Sequence, residues 1–194
     1  FTGDSEYLDT ARTLARSTVT TLRSEHGGFW DMRHDPGARG SLRRRVRSLL
    51  ENSVMAEALL RLAHFTRESE WADVAHETLA SFALDYRSGG QVVAGYARAV
   101  DLWLHPPVHV TVVGPRERAD TRALQRAALA PYVASRVVQL IDPERQRALL
   151  EKLGLPGYEG GAARAFVHRG RESYADTSDP QRLPALMTRI ERGS

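Results

Sequence analysis

The sequence predicts a mainly α protein with an α/β lobe. Stacked helical hairpins are expected over residues 1–106, and a small, mostly parallel α/β sheet over 107–194. Three observations predict it. Thr2-Gly3-Asp4-Ser5-Glu6-Tyr7-Leu8-Asp9-Thr10-Ala11 returns as Thr66-Arg67-Glu68-Ser69-Glu70-Trp71-Ala72-Asp73-Val74-Ala75, with five of ten positions identical and a sixth exchanging aromatics. A unit that recurs at such a spacing cannot bury its apolar face alone, so it stacks on its neighbour. Beyond Pro106-Pro107 the apolar period changes, with β-branched runs alternating with helical ones.

The elements follow in order. Residues 4–24 read as a helix capped by Asp4 or Ser5, with Tyr7, Ala11, Leu14, Ala15, Val19 and Leu22 at helical spacing. His26-Gly27-Gly28 ends it, and a Gly-, Asp- and Pro-rich loop runs to about Leu42. A second helix is expected over 47–66 with Leu50, Val54, Ala58, Leu62 and Phe65 inward. A third is expected over 69–86 with Trp71, Ala75, Leu79 and Phe82 inward. Ser88-Gly89-Gly90 breaks it. A fourth helix covers 91–104, and His105-Pro106-Pro107 stops it because proline cannot continue a helix.

Val108-His109-Val110-Thr111-Val112-Val113 then reads as a buried strand. A helix follows over 120–129, a strand over 136–141, and a helix opened by Asp142-Pro143 to about Leu153. Residues 157–161 read as a Gly-rich loop and 163–168 as a third strand. Ser178-Asp179-Pro180 caps a last helix ending near Ile190.

Composition narrows the function. The chain holds 194 residues, 27 basic against 24 acidic, and no cysteine, so disulfides, thiolate catalysis and zinc-thiolate sites within it are excluded. Lys152 is its single lysine; every other basic residue is arginine. The dense run Arg43-Arg44-Arg45-Val46-Arg47 has no interleaved aromatics, so it reads as solvated or ion-paired and no nucleic-acid partner is expected. No apolar run is long enough to span a bilayer, and position 1 is Phe with no leader after it; a cytoplasmic protein is the expectation.

Several segments carry a resemblance. Gly27-Gly28-Phe29-Trp30-Asp31 is followed by Glu51-Asn52-Ser53-Val54-Met55-Ala56-Glu57-Ala58-Leu59-Leu60-Arg61-Leu62-Ala63. Then come Ala97-Arg98-Ala99-Val100-Asp101 and Pro106-Pro107-Val108-His109-Val110-Thr111-Val112-Val113-Gly114. Over nearly its whole length the chain resembles the C-terminal half of the bacterial thioredoxin-domain-containing proteins of the DUF255 family, the spermatogenesis-associated protein 20-like group. The resemblance implies a six-hairpin (α/α) toroid like those of glycosidases and sugar epimerases, here a partial one of about two hairpins. It also implies a thioredoxin-like domain ahead of it. Family members carry a Tyr-Val-Cys strand with a second cysteine five residues on. This chain has Phe166-Val167-His168 and then Ser173, which puts any thiol or metal role of that pair in doubt, while Asp179-Pro180 still matches.

The best site candidate is the loop Phe29-Trp30-Asp31 with Glu51 and Asn52 at the next helix. Loops at one end of a toroid line its pocket; an aromatic ring stacks on a sugar face while carboxylates bind hydroxyls or act as acid and base. Trp30, Asp31, Glu51 and Asn52 are the expected substrate-binding residues, and no residue is assigned a catalytic role. The competing assignment is structural: Trp30 packs under the loop, Asp31 caps a turn and Asn52 bonds backbone. His26, His34, Asp31 and Asp35 lie close in sequence but match no metal motif, so no metal is expected. His64 and His76 read as surface or boundary residues. Gly114-Pro115-Arg116-Glu117-Arg118 lacks the glycines of a dinucleotide loop, and no cofactor is expected.

The leading expectation is a non-catalytic portion of a carbohydrate-processing-type toroid with a small sugar as ligand. The rivals are a sugar epimerase-like or hydrolase-like enzyme completed by further sequence, and an interaction module that docks a thioredoxin-like domain. An open half-toroid exposes an apolar face, so self-association through it belongs with these expectations.

Overall fold

The computed structural model describes residues 5–84, 90, 93–133, 135–155, 161–170 and 173–192. The chain divides into a helical unit, Ser5–His105, and an α/β unit from Pro106 onward.

The helical unit holds α1 (Ser5–Leu22), α2 (Leu49–Thr66), α3 (Ser69–Ser81) and α4 (Val93–Leu104). Ser5 and Ser69, equivalent in the repeat, both lie in helices, α1 and α3. The Ser48 hydroxyl caps α2, and Arg67 ends it in the left-handed region at φ 59°. Only Arg67 and Glu68 then separate α2 from α3, so the two helices pack antiparallel. α2 is the centre of the unit and touches α1, α3 and α4. Arg12 pairs with Glu68 at 3.1 Å, Arg16 with Glu70 at 3.7 Å, and Arg23 with Glu77, a progression that lays α1 alongside α3 in the same direction. Each such surface pair is worth less than about 1 kcal/mol; the apolar core of Leu59, Leu60, Trp71, Ala75 and Ala99 carries the stability.

The α3 stripe of Trp71, Ala75, Leu79 and Phe82 is buried as the spacing predicts. Two other stripes are buried only in part, at Ala15 and Leu62. Tyr7 and Leu14 of α1 are 69% and 63% exposed, and Leu50 and Val54 of α2 are 49% and 57% exposed, with Ala58 also outside. α2 instead buries Asn52, Ser53, Ala56, Leu59, Leu60, Leu62 and Thr66. These buried positions share one half of the helix, and Leu50, Val54 and Ala58 line the opposite half, which stays open. α3 stops at Ser81 rather than near 86, and the expected break at Ser88-Gly89 lies outside the described residues, as does Gln91.

The α/β unit contains β1 (Val108–Val113), α5 (Ala119–Leu129), β2 (Arg136–Ile141), α6 (Arg147–Lys152), β3 (Arg164–Arg169), β4 (Ser173–Thr177) and α7 (Leu183–Glu191). Strand order is β2-β1-β3-β4. The sheet is mixed, which corrects the expectation of a mostly parallel one: β1 and β2 are parallel with Val108 opposite Arg136, but β1–β3 and β3–β4 are antiparallel. The unexpected strand β4 explains part of the difference. Only residues 170–172 separate it from β3, too few for the crossover that parallel pairing requires. Ser173-Tyr174-Ala175-Asp176-Thr177 is also too polar to read as a strand on its own.

Every residue of β1 is buried. Val108, Val110 and Val112 pack with Leu124, Leu183 and Met187 on one face, while Val113, Ile141 and Phe166 form a second cluster with Leu149, Leu150 and Leu153. α6 begins only at Arg147, because Asp142 spends its carboxylate on a turn, accepting from the Glu144 N–H at 3.1 Å. The expected loop at 157–160 lies outside the described residues. Among the described residues no helix is long and apolar enough to cross a membrane.

Candidate functional site

The loop between α1 and α2 is built from backbone upward. Gly27 and Gly28 both take positive φ, 81° and 69°, which only glycine adopts at little cost. The chain then folds back: Ser24 N–H donates to the Gly28 carbonyl at 2.8 Å, Trp30 N–H to Leu22 at 2.8 Å, and Arg23 and Phe29 form an isolated antiparallel bridge. Phe29 is buried at the turn.

Asn52 fixes this turn to α2. Its amide oxygen accepts the Phe29 N–H at 2.6 Å, and its amide nitrogen donates to the carbonyls of Phe29 at 3.0 Å and Ser48 at 2.9 Å. Asn52 is 3% exposed, so these bonds form where water does not compete. Asp31 ties the other end of the loop. Its N–H donates to Val46 at 3.0 Å, and its carboxylate accepts the Val46 N–H at 2.9 Å. The structural assignment weighed for Asn52 and Asp31 thus describes their geometry.

Trp30 is half-buried, with the Arg45 guanidinium 4.6 Å above its ring centroid. Its indole N–H makes no hydrogen bond of standard geometry, though it adds to the influences on Glu25. The exposed Glu25 carboxyl is lowered chiefly by a hydrogen bond from its own backbone, with His26, Trp30 and Arg45 contributing. Glu51 is exposed in the first turn of α2, its N–H on the Ser48 hydroxyl at 3.5 Å. The four expected residues therefore share one end of the helical unit. Asn52 is buried and Asp31 exposed, both engaged with backbone, while Trp30 is half-buried and Glu51 exposed.

Two arginines in this region were not expected to have such roles. Arg47 donates to the carbonyls of His26 at 2.9 Å and Gly27 at 2.6 Å and lies 5.2 Å from the Phe82 ring centroid. Arg45 stacks on Trp30. The run at 43–47 therefore has aromatic partners in space, though none in sequence. The signal was its alternation: in extended chain, residues 45 and 47 project to one side.

The other candidates resolve as follows. Among the described residues no group of three His, Asp or Glu side chains is placed to hold a metal ion. His76 stacks on Trp103 at 4.7 Å. His64, partly buried near the end of α2, has its pKa lowered to about 4 by burial first, then by Arg67 and Arg61. Gly114, at the end of β1, is a close-approach glycine: a Cβ there would sit 2.5 Å from the Thr121 hydroxyl and 2.8 Å from the Ala163 methyl. Beside it the Asp120 carboxyl lies well below its usual range, held by Arg118 and by the N–H groups of Ala163 and Thr121. An aspartate already occupies the helix N-terminus where a phosphate would bind. His168 stacks on His109 at 4.8 Å with rings 6° from parallel, and Ser173 pairs with Arg169 in the β3–β4 register.

Human spermatogenesis-associated protein 20 is similar to this chain, 28% identical over 102 residues. The similarity covers 53% of the chain and 13% of the human protein, so the chain spans a small part of that relative. No protein-family profile and no solved structure matches the chain.

Proposed function

We propose that this chain is a non-catalytic, carbohydrate-binding portion of a six-hairpin protein of the DUF255 type, its helical unit supplying two hairpins of an (α/α) toroid. The similarity to spermatogenesis-associated protein 20 supports the family relation. The antiparallel α2–α3 turn, and α1 and α3 running in the same direction, support the hairpin reading.

The use made of Asp31 carries the non-catalytic part. A glycosidase sets two carboxylates across the scissile bond. Here the Asp31 carboxylate, although exposed, accepts a backbone N–H from Val46, which leaves Glu51 as the carboxylate of the four candidates that is not engaged in holding the loop. In this reading the Trp30 ring stacks on the apolar face of a sugar and Glu51 accepts a hydroxyl, while Asn52 and Asp31 hold the loop that presents them.

The test is an NMR titration of the labelled chain with neutral hexoses and N-acetylhexosamines, beside a turnover assay on aryl glycosides. Saturable shifts at residues 29–31 and 45–52, lost in Trp30→Ala and weakened in Glu51→Gln, are expected, with no turnover. Absence of any saturable shift sinks the carbohydrate assignment; turnover lost in Glu51→Gln sinks the non-catalytic one.

A further inference from the structure

We propose that the loop presenting Trp30 and Glu51 takes a sugar that carries an oxyanion, a carboxylate or a phosphate, and that Arg45 is the residue that receives it. The inference rests on the carbohydrate reading above and names the class of sugar.

The distribution of charge points to the loop. Residues 31–47 hold six arginines and two aspartates, a net +4 where the whole chain is +3, so the rest of the chain is net −1. Elsewhere arginines on α1, α2, α4, α5, α6 and β3 pair with carboxylates, as Arg61 and Arg98 do with Glu57. The loop differs. Arg33, Arg39, Arg43 and Arg44 are exposed and form no ion pair with a described residue. Its aspartates are occupied, Asp31 by the Val46 N–H and Asp35 by the Gly37 N–H at 2.8 Å. Like charges held together without counter-charges concentrate anions near them and speed their encounter.

Arg45 sets where the anion lands. This half-buried residue holds its guanidinium 4.6 Å above the Trp30 ring centroid and makes no hydrogen bond to a described residue. Stacking on an indole uses the flat face of a guanidinium. It leaves the N–H edge, the fork that pairs with carboxylate or phosphate. Glu25 feels this charge, but as the weakest of the influences on its carboxyl. A sugar that reaches Trp30 therefore meets Arg45. A neutral sugar leaves the fork without a partner; an acidic one fills it while Glu51 accepts a hydroxyl.

A nucleic-acid strand fits less well, because its bases need successive aromatic faces. Phe29 and Phe82 are 5% and 3% exposed, and the Trp30 ring already carries Arg45 on one face.

The experiment is an NMR titration of the labelled full chain with glucose, glucuronate and glucose 6-phosphate, read at residues 29–31 and 45–52. At about 0.01 M salt at least one acidic sugar should bind about tenfold or more tightly than glucose, and the tighter of the two names the oxyanion. The advantage should shrink severalfold at about 1 M salt, where charges are screened within about 3 Å. Arg45→Gln should abolish it. Arg45→Lys, which keeps the charge without the planar fork, should lose most of it, and it carries the test where glutamine unsettles the loop. Arg39→Gln removes an equal charge that has no contact with Trp30 and should leave most of the advantage. Equal affinity for glucose and both acidic sugars overturns the inference and leaves the carbohydrate reading standing. Inorganic phosphate or a single-stranded oligonucleotide that shifts the same resonances at or below the concentration the acidic sugars need overturns it as well. No saturable shift with any of the three sugars removes the carbohydrate reading and this inference with it, so the two failures are distinguishable.

Discussion

Asn52 and Phe29 exchange hydrogen bonds in both directions: the side-chain amide of one takes the backbone N–H of the other and gives to its carbonyl. The pair joins the only buried aromatic of the loop between α1 and α2 to the first turns of α2. Replacing Asn52 with leucine keeps the volume but leaves the Phe29 N–H and carbonyl without their partner. A buried unsatisfied group costs about 1–3 kcal/mol, so Asn52→Leu should lose about 2–4 kcal/mol in urea unfolding. A loss under about 0.5 kcal/mol would mean that the loop is held by its apolar contacts alone.

Gly28 and Gly40 separate two costs of losing a glycine. Both have positive φ, 69° and 60°. A Cβ on Gly28 would lie 2.6 Å from the Asn52 amide oxygen and 3.1 Å from the Phe82 ring, whereas Gly40 has open space. Gly40→Ala should cost about 1 kcal/mol for the backbone alone. Gly28→Ala should cost clearly more, by about 1–3 kcal/mol. Equal midpoints for the two variants would show that the turn shifts to accommodate the methyl.

His64 gives the helical unit an acid-side weakness. Its pKa falls from the usual value of 6.5 to about 4 on folding, so between those values the unfolded chain binds the proton and the folded one does not. Stability therefore declines as pH falls from about 6.5 to about 4, by an amount on the order of 1–3 kcal/mol. His64→Gln should flatten the unfolding midpoint across that window and leave values above pH 7 nearly unchanged. An unaltered slope would place the acid sensitivity elsewhere.

Much of this architecture was legible because local pattern and tertiary burial agreed. Trp71, Ala75, Leu79 and Phe82 recur at helical spacing and are buried, and the β-branched run at Val108–Val113 forms the buried central strand. The stripes of α1 and α2 were misread because spacing reports which residues share a face, not whether anything covers it; Tyr7, Leu14, Leu50 and Val54 share faces that stay open. The antiparallel β3–β4 pair was hidden because the polar segment Ser173–Thr177 does not read as a strand on its own. At the candidate site Trp30, Asp31, Glu51 and Asn52 were found together, but whether a polar side chain faces a ligand or a backbone depends on atoms remote in sequence. Val46 for Asp31 and Phe29 for Asn52 are such cases.

The central place of α2 also sets an order of disassembly. α2 touches α1, α3 and α4, whereas among the described side chains of α1 only Ala15 is buried. α1 can detach while α2, α3 and α4 keep their mutual contacts, so it forms a separate, weaker cooperative unit. Its amides then exchange with solvent through a partial opening, while those of α2 wait for the whole helical unit to come apart.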